Sequence, residues 1–235
     1  MKNASSNQEL KKLAGIHAAD LVQDGMLIGI GTGSTVAFFI KELGRRIREG
    51  LHIRGGVPTS CGTRLLCIEE GIPVIDSMQV NRLDLAIDGA DEIDPCLNAI
   101  KGGGAAHTIE KIVASMSDEF ILVADESKLS PALLTKFPLP VEVIPPALSL
   151  VKKRIELLGG KPVLRSGVRK DGPVITENGN FVLDINFDTR PSDLECLDAE
   201  LKKIPGLLET GLFSGIAKKA LISSKDGVET RFPEK

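Results

Sequence analysis

Three groups of residues in this sequence have chemistry to offer: two glycine-rich turns and a run of carboxylates between them. Gly31-Thr32-Gly33-Ser34-Thr35 stands between a short apolar run and a helical pattern. Backbone N–H groups in such a turn, with the N-terminus of the helix that follows, attract an anion. Thr32, Ser34 and Thr35 add hydroxyl donors. The same residues also read as a helix cap, and the two readings are compatible. A dinucleotide fits poorly. Ser34 stands where the third glycine of G-x-G-x-x-G would fall, and the next strand, HIRGGVPTS, lacks the acidic residue that holds a ribose hydroxyl. Gly-Lys-Ser/Thr, which a Walker loop needs, is absent as well. A single small phosphate is the better match.

Asp88-Gly89-Ala90-Asp91-Glu92-Ile93-Asp94 closes an apolar run, LDLAID. In open parallel sheets ligands bind at the carboxyl ends of strands, and crowded carboxylates raise one another's pKa, which suits proton transfer. A solvated acidic loop is the plainer reading. A divalent-cation site is disfavoured, because the spacing matches no EF-hand loop. Lys101-Gly102-Gly103-Gly104 follows. Consecutive glycines are costly to order, so their use points to a backbone that approaches a ligand, or else to a flexible connector with Lys101 as a surface charge. Glu110 lies one residue past Ile109, about 100° off the apolar stripe of its helix. A carboxylate there suits proton abstraction next to a carbonyl; taken alone it reads as an ordinary solvated residue. Lys128, in ADESK, is placed to hold a phosphate or to sit on the surface. His17 reads as a packed helix residue and His52 as the start of a strand. His107 adjoins the second glycine turn, although nothing in the spacing demands that it reach a site.

The elements that must position these residues alternate. A helix is expected over 8–22, with Leu10, Leu13, Ala14, His17 and Leu21 at helical spacing. The run 26–30 is a buried parallel strand, and Val36, Phe39, Ile40, Leu43 and Ile47 mark the next helix. Strands follow at 52–57, 73–75, 83–88 and 120–125. Helices run over 64–71 and 107–117, the second with Ile109, Ile112, Val113 and Met116 on one face. Near Ser130 the pattern changes to strand 141–145, helix 147–158, strand 162–165, a hairpin at Asn178-Gly179, strand 181–187, a helix carrying Leu194, Leu197, Leu201 and Ile204, and a last strand over LLETGLF. That β-α-β-β-α-β order is ferredoxin-like. The expected fold is therefore α/β. A Rossmann-like, doubly wound, mostly parallel sheet over 1–130 plus 208–235 is joined by a smaller ferredoxin-like α+β domain over 131–207.

Composition narrows the function classes. The 235 residues are 42% hydrophobic with a net charge of −3, enough for a packed core and without a Lys/Arg-rich run for nucleic acid or an anionic membrane. Tyr and Trp are absent, which removes the usual stacking platforms for bases. The N-terminal segment has no apolar run of a signal peptide, and no stretch of about 20 apolar residues crosses a bilayer. Cys61, Cys67, Cys96 and Cys196 form no C-x-x-C pair, so they read as free thiols of a cytoplasmic protein without a metal site.

Taken together, the segments GIGTGST (29–35), PTS (58–60), DGADEID (88–94), KGGGAA (101–106), ADESK (124–128), FPLPVEVIP (137–145), NGNFVLD (178–184) and TGLF (210–213) resemble the ribose-5-phosphate isomerase type A family over nearly the whole chain. DGADE followed at this distance by KGGGAA is a specific combination. The resemblance implies an aldose–ketose isomerase of the pentose phosphate pathway that needs no cofactor and no metal, acts through an enediolate, and assembles as a homodimer or homotetramer. It implies Glu110 as the acid–base between C2 and C1, and Asp88 as an aid to ring opening and to the hydroxyl protons. Asp91 and Lys101 would line the reacting end, with Gly89, Ala90, Gly102, Gly103 and Gly104 contacting the sugar. Thr32, Gly33, Ser34, Thr35 and Lys128 would hold the substrate, and Lys11 would reach its phosphate. Cys61-Gly62 departs from the more polar or larger pair expected after PTS. A sugar-phosphate sensor is a rival, but only residues 1–25 precede the first strand, too few for a DNA-binding helix-turn-helix. A CoA transferase or sugar-phosphate deaminase on a similar fold is the rival within enzymes.

Overall fold

Short apolar runs bounded by glycine and acidic residues become the central strands. In the computed structural model of the chain, residues 2–168 and 171–234 are described. In chain order the elements are α1 (Lys2–Ala19), β1 (Leu27–Ile30), α2 (Ser34–Arg48), β2 (Gly55–Pro58), α3 (Cys61–Glu69), β3 (Leu83–Asp88), β4 (Glu92–Ile93), β5 (Ala99–Ile100), α4 (His107–Met116) and β6 (Ser117–Asp125). There follow β7 (Leu139–Val143), α5 (Leu148–Leu157), β8 (Gly160–Leu164), β9 (Phe181–Phe187), α6 (Leu194–Lys202), β10 (Leu207–Thr210), β11 (Leu212–Phe213), β12 (Lys219–Ser224) and β13 (Gly227–Arg231).

The large sheet has the order β13-β12-β6-β3-β1-β2. Its strands are parallel except β13, which pairs antiparallel on β12 at the edge. Parallel strands are covered on both faces, and Ile28, Ile30, Leu85 and Ile87 pack with Phe39 and Leu43 of α2 on one side, while Leu83, Ala86, Phe120 and Leu122 pack with Val113 of α4 on the other. β2 and β3 flank β1 on opposite sides, so the chain leaves β1 at a switch in strand order. Crevices for ligands open at the carboxyl ends of strands at such points.

A second, antiparallel sheet has the order β10-β7-β9-β8, with a core shared by β7, β9, α5 and α6. The β-α-β-β-α-β sequence of elements is the ferredoxin-like arrangement. The run LLETGLF does not form one strand. It divides at Gly211, whose N–H donates to Pro140 C=O (2.7 Å) and whose C=O accepts from Lys101 N–H (2.8 Å). β10 therefore stays in the second sheet, while β11 pairs with β5 in a three-stranded sheet with β4. That small sheet leads the chain into Lys101.

Three other expectations change. Helix α1 covers Lys2–Ala19 rather than 8–22, and it buries Ala14, Ala18 and Ala19 while Leu13 and His17 are exposed. It lies against α2 with Gly15 facing the backbone of Phe39, and so close a seam selects small residues over a stripe of large ones. Residues 73–75 form no strand. Val74 makes a single bridge to Gly56, held by Gly56 N–H to Pro73 C=O and Ile75 N–H to Gly56 C=O, and Pro73 has no N–H with which to extend the ladder. Helix α4 does not bury one apolar stripe: Ile112 is exposed, whereas Thr108, Glu110 and Lys111 are buried along with Val113. α4 packs on β3, β6 and β10, so its polar faces are enclosed too.

Candidate active site

Gly31 directly follows β1, and a Cβ there would lie 2.1 Å from the carboxyl of Asp88. Only glycine lets the first turn and the end of β3 touch. Asp88 then accepts, at Oδ1, the N–H groups of Thr32 (3.1 Å) and Gly89 (2.7 Å). Its Oδ2 lies 3.0 Å from Lys101 Nζ, which lies 3.1 Å from Glu110 Oε2 and donates to Gly89 C=O at 2.6 Å. The end of β3, the residue after β5 and the first turn of α4 thus converge on one ammonium. The side chains of Lys101, Asp88 and Glu110 are only 3%, 4% and 5% exposed.

Above this triad is a cavity of about 150 Å³. Thr32 to Thr35 form one wall at the start of α2; Gly89, Ala90 and Asp91 form a second, and Lys101 to Gly104 with Glu110 a third. Lys11 of α1 and Lys128, in the short helical turn after β6, stand at its rim. Every residue expected at a site therefore lines this cavity except Asp88, which lies beneath its floor. Val123 and Ala124 of β6 also line it, and nothing in their apolar run distinguished them from core. Thr32 differs from expectation in what its hydroxyl does. Thr32 Oγ1 is 2.8 Å from both Thr59 Oγ1 and Ser60 Oγ, and Thr63 Oγ1 donates on to Gly31 C=O. That hydroxyl cluster ties the turn to the N-terminus of α3, with Ser60 as its N-cap. The phosphate-attracting groups left at the cavity are Ser34, Thr35 and the first turn of α2.

Burial pushes the Glu110 carboxyl up to about 8, and the charge of Asp88 adds to the shift against the pull of Lys101. Asp88 is raised as well, by burial, although Lys101 and its two N–H donors oppose this. Lys101 is held above its ordinary value by the two carboxyls, with burial acting the other way. The stable arrangement is one ammonium and two carboxyls that hold a proton between them near neutrality. A basic Glu110 then requires that proton to leave. The acid limb of kcat/KM is expected well above the ordinary carboxylate range, toward pH 8. In Asp88→Asn it should move to lower pH, because the neighbouring negative charge is gone. A pH–rate profile of both proteins checks this; an unmoved limb contradicts it.

His107 does not reach the cavity. It is fully buried behind Gly102, its Nε2 3.3 Å from Glu209 C=O, and burial pushes its ring down to about 4, leaving it neutral. Among the described residues no group of three or more His, Cys, Asp or Glu side chains is arranged to hold a metal ion.

The profile of the family "Ribose 5-phosphate isomerase A (phosphoriboisomerase A)" matches residues 55–227. A ribose-5-phosphate isomerase A of Methanosarcina acetivorans is 56% identical over 227 residues, covering 96% of this chain and 95% of that protein. The chain belongs to the ribose 5-phosphate isomerase A family. A family member from Thermosynechococcus vestitus is 50% identical over 216 residues, covering 92% of this chain and 91% of its own. Among solved isomerases, ribose 5-phosphate isomerase A from Methanocaldococcus jannaschii superposes with a TM-score of 0.92 at 45% identity, covering 96% of this chain and 99% of that one. A D-ribose-5-phosphate isomerase in complex with phospho-erythronic acid superposes at 0.91 with 46% identity, covering 95% and 98%. The Cys61-Gly62 pair lies outside the cavity lining. Cys61 is exposed at the first residue of α3, and its N–H is bound by the Glu177 carboxylate at 2.6 Å.

The segments that resemble the family contain Glu142, Asn178 and Asn180, but the sequence assigned no role near the site to them or to Arg165. Glu142 of β7 accepts hydrogen bonds from Thr108 of α4 and from Thr176, Asn178 and Asn180. Arg165 donates to the carbonyls of the glycine turn. A charged residue inside the alternating strand pattern of β7 was the available signal for Glu142. Arg165 offered none, since it follows β8 with no motif around it.

Proposed function

We propose that this chain interconverts D-ribose 5-phosphate and D-ribulose 5-phosphate through an enediolate, as an isomerase of the non-oxidative pentose phosphate pathway. The observation that carries the reading is a buried Glu110 of raised pKa, in ion-pair contact with Lys101, on the wall of a small cavity whose far end is a helix N-terminus. The open-chain aldose places its phosphate at Ser34, Thr35 and the first turn of α2, with Lys11 and Lys128 at the rim. Its C1 carbonyl then meets Lys101. Glu110, as carboxylate, takes the proton from C2 while the C1 oxygen gains the electron pair and Lys101 stabilises it. The same carboxyl returns the proton to C1, while the C2 hydroxyl loses its proton and the C1 oxygen gains one as the ketone forms; we assign these hydroxyl protons and ring opening to Asp91, on the cavity wall, and to Asp88, which acts from beneath it through Lys101. Phospho-erythronic acid, bound by the 46% identical relative, carries a carboxylate and a phosphate at the two ends this cavity would engage.

Ketose formation from ribose 5-phosphate by the pure protein tests the reading, and absence of ketose from a folded sample contradicts it. Activity is expected to survive EDTA, since Lys101 supplies the positive charge at the reacting oxygen; loss in EDTA with recovery on adding a divalent cation would refute that role. Lys128→Ala should raise KM for ribose 5-phosphate about tenfold with kcat little changed, as loss of a charge-assisted phosphate contact does. An unchanged KM removes Lys128 from the phosphate site. No helix among the described residues is long and apolar enough to cross a membrane. The four free cysteines suit the reducing cytoplasm, where we place the protein as a homodimer or homotetramer acting on a free sugar phosphate. The segment 131–207 is taken as a small domain that folds beside the catalytic one.

A further inference from the structure

The second glycine turn poses a problem that the residues lining the cavity do not solve. Its peptide N–H groups are useful to a developing anion only if its carbonyl oxygens face away from the cavity. Three glycines give the turn no side chain with which to hold that orientation, and Gly102 takes φ +114°, a conformation open to glycine. Within the turn Ala105 N–H donates to Gly102 C=O at 3.0 Å, and the remaining hold on the carbonyls comes from outside the large sheet. Arg165 Nη1 donates to Gly102 C=O at 2.7 Å and to Gly103 C=O at 3.2 Å. The rest of the guanidinium is fixed by Asp184 of β9, with Nε to Oδ2 at 2.8 Å and Nη2 to Oδ1. Both side chains are largely buried, at 17% and 19% exposure. The Arg165 backbone is anchored too: its N–H donates to Val182 C=O and its C=O accepts from Val174 N–H. From the other side Asp91 Oδ2 accepts Gly103 N–H at 2.8 Å. The turn is therefore clamped between a fixed cation on its carbonyl edge and a carboxylate on one N–H, and Lys101 is the residue at its root.

We propose that Arg165, locked by Asp184, is a positioning residue for the isomerisation: it keeps the carbonyls of Gly102 and Gly103 turned out of the cavity and so keeps Lys101 and the N–H groups of Gly102 and Gly104 aimed at the enediolate oxygens, those of Gly103 and Ala105 being engaged within the protein. The proposal rests on the isomerase reading. Arg165 touches no reacting atom. Its planar fork does what a lysine could not, because one edge of the guanidinium, Nε and Nη2, serves the carboxylate while Nη1 serves two carbonyls at once.

The test compares the parent chain with Arg165→Met, Arg165→Lys and Asp184→Asn, measuring kcat, KM, thermal midpoint and inhibition by phospho-erythronic acid. An active parent is the control, so an inactive parent would defeat the isomerase reading and not this one. In Arg165→Met kcat is expected to fall about 10- to 100-fold, the scale of a misplacement near 1 Å, while KM for ribose 5-phosphate stays within about threefold because the phosphate end is untouched. Inhibition by phospho-erythronic acid should weaken about tenfold or more, since its carboxylate resembles the two oxygens of the enediolate. Arg165→Lys should not restore the rate. Asp184→Asn, which keeps the cation but loosens it, should fall between the parent and Arg165→Met. A lowered thermal midpoint with kcat per folded molecule and inhibition both unchanged would overturn the proposal. So would full rescue by lysine. If Arg165→Met does not fold, Asp184→Asn decides: a parental kcat there overturns the proposal.

Discussion

Replacing Glu110 by glutamine is expected to lower kcat by at least about 10³-fold while leaving KM for ribose 5-phosphate within about threefold, because the change removes a proton carrier and keeps the shape. The same variant should not lose stability. Glu110 is raised to about 8 in the folded chain from an ordinary 4.5. A raised carboxyl favours folding fully below 4.5, where both states are protonated alike, and that advantage is lost progressively as pH climbs toward 8, where the unfolded chain ionises more easily. The glutamine side chain never ionises, and Lys101 keeps Asp88 as its partner. The thermal midpoints of parent and Glu110→Gln should therefore nearly coincide near pH 4.5, with the variant equal or higher at pH 8. Inactivity together with undiminished stability separates a catalytic carboxylate from a structural one. Near-parental turnover, or a variant much less stable at pH 8, would contradict the assignment.

Lys101→Met is expected to fail in both respects. Removing the charge opposite the enediolate oxygen should lower kcat about 10²- to 10³-fold, the usual effect of losing a preorganised electrostatic contact. Removing it also leaves Asp88 and Glu110 facing each other, buried, without their cation, and breaking a buried pair from one side costs about 3–5 kcal/mol. The sign of the pH dependence follows from the carboxyls. Lys101 is held above its ordinary value, so its contribution is present throughout the range below 10.5 and disappears only above it. Within ordinary buffers the loss in Lys101→Met should thus grow as pH rises and the two carboxyls are pressed to ionise. Urea denaturation at about pH 5 and about pH 8 measures this. Asp88→Asn added to Lys101→Met should recover stability at the higher pH without recovering activity, since the two residues are in direct contact and their effects do not add. A single variant equally stable at both pH values would show that the three groups are not electrostatically linked.

The parts of this molecule that were readable from the sequence are those where local pattern and global fold agree. LIGI, LDLAID and FILVAD are short apolar runs before glycine or aspartate, and each became a central parallel strand with its carboxyl end at the site. The β-α-β-β-α-β order of the second sheet was equally visible, because its strands alternate and its turns carry Asn178-Gly179. Helices were less legible where partners, not propensity, choose the buried face. α1 packs its alanines so closely on α2 that Leu13 and His17, the larger residues at helical spacing, are left outside. α4 lies between two sheets, so Glu110, which alone reads as a solvated residue, is buried and its pKa rises. The division at Gly211 was hidden because LLETGLF is uniform in pattern, and its break is set by hydrogen bonds to Pro140 and Lys101, residues distant in sequence. The lining of the cavity was legible because both glycine turns and the carboxylate run are local motifs. The clamp of Arg165 and the hub of Glu142 were not, since each reaches the site across a contact between sheets that no spacing along the chain records.

The central claim is that Glu110 carries a proton between C2 and C1 of the sugar. Isomerisation of ribose 5-phosphate in D₂O, with EDTA present and the ketose analysed by NMR, tests it most directly. Ribulose 5-phosphate is expected to bear measurable deuterium at C1 and recovered ribose 5-phosphate to carry label at C2, with neither seen in Glu110→Gln. Ketose formed by Glu110→Gln as fast as by the parent, with the same label, would remove that carboxylate from the reaction and contradict its role.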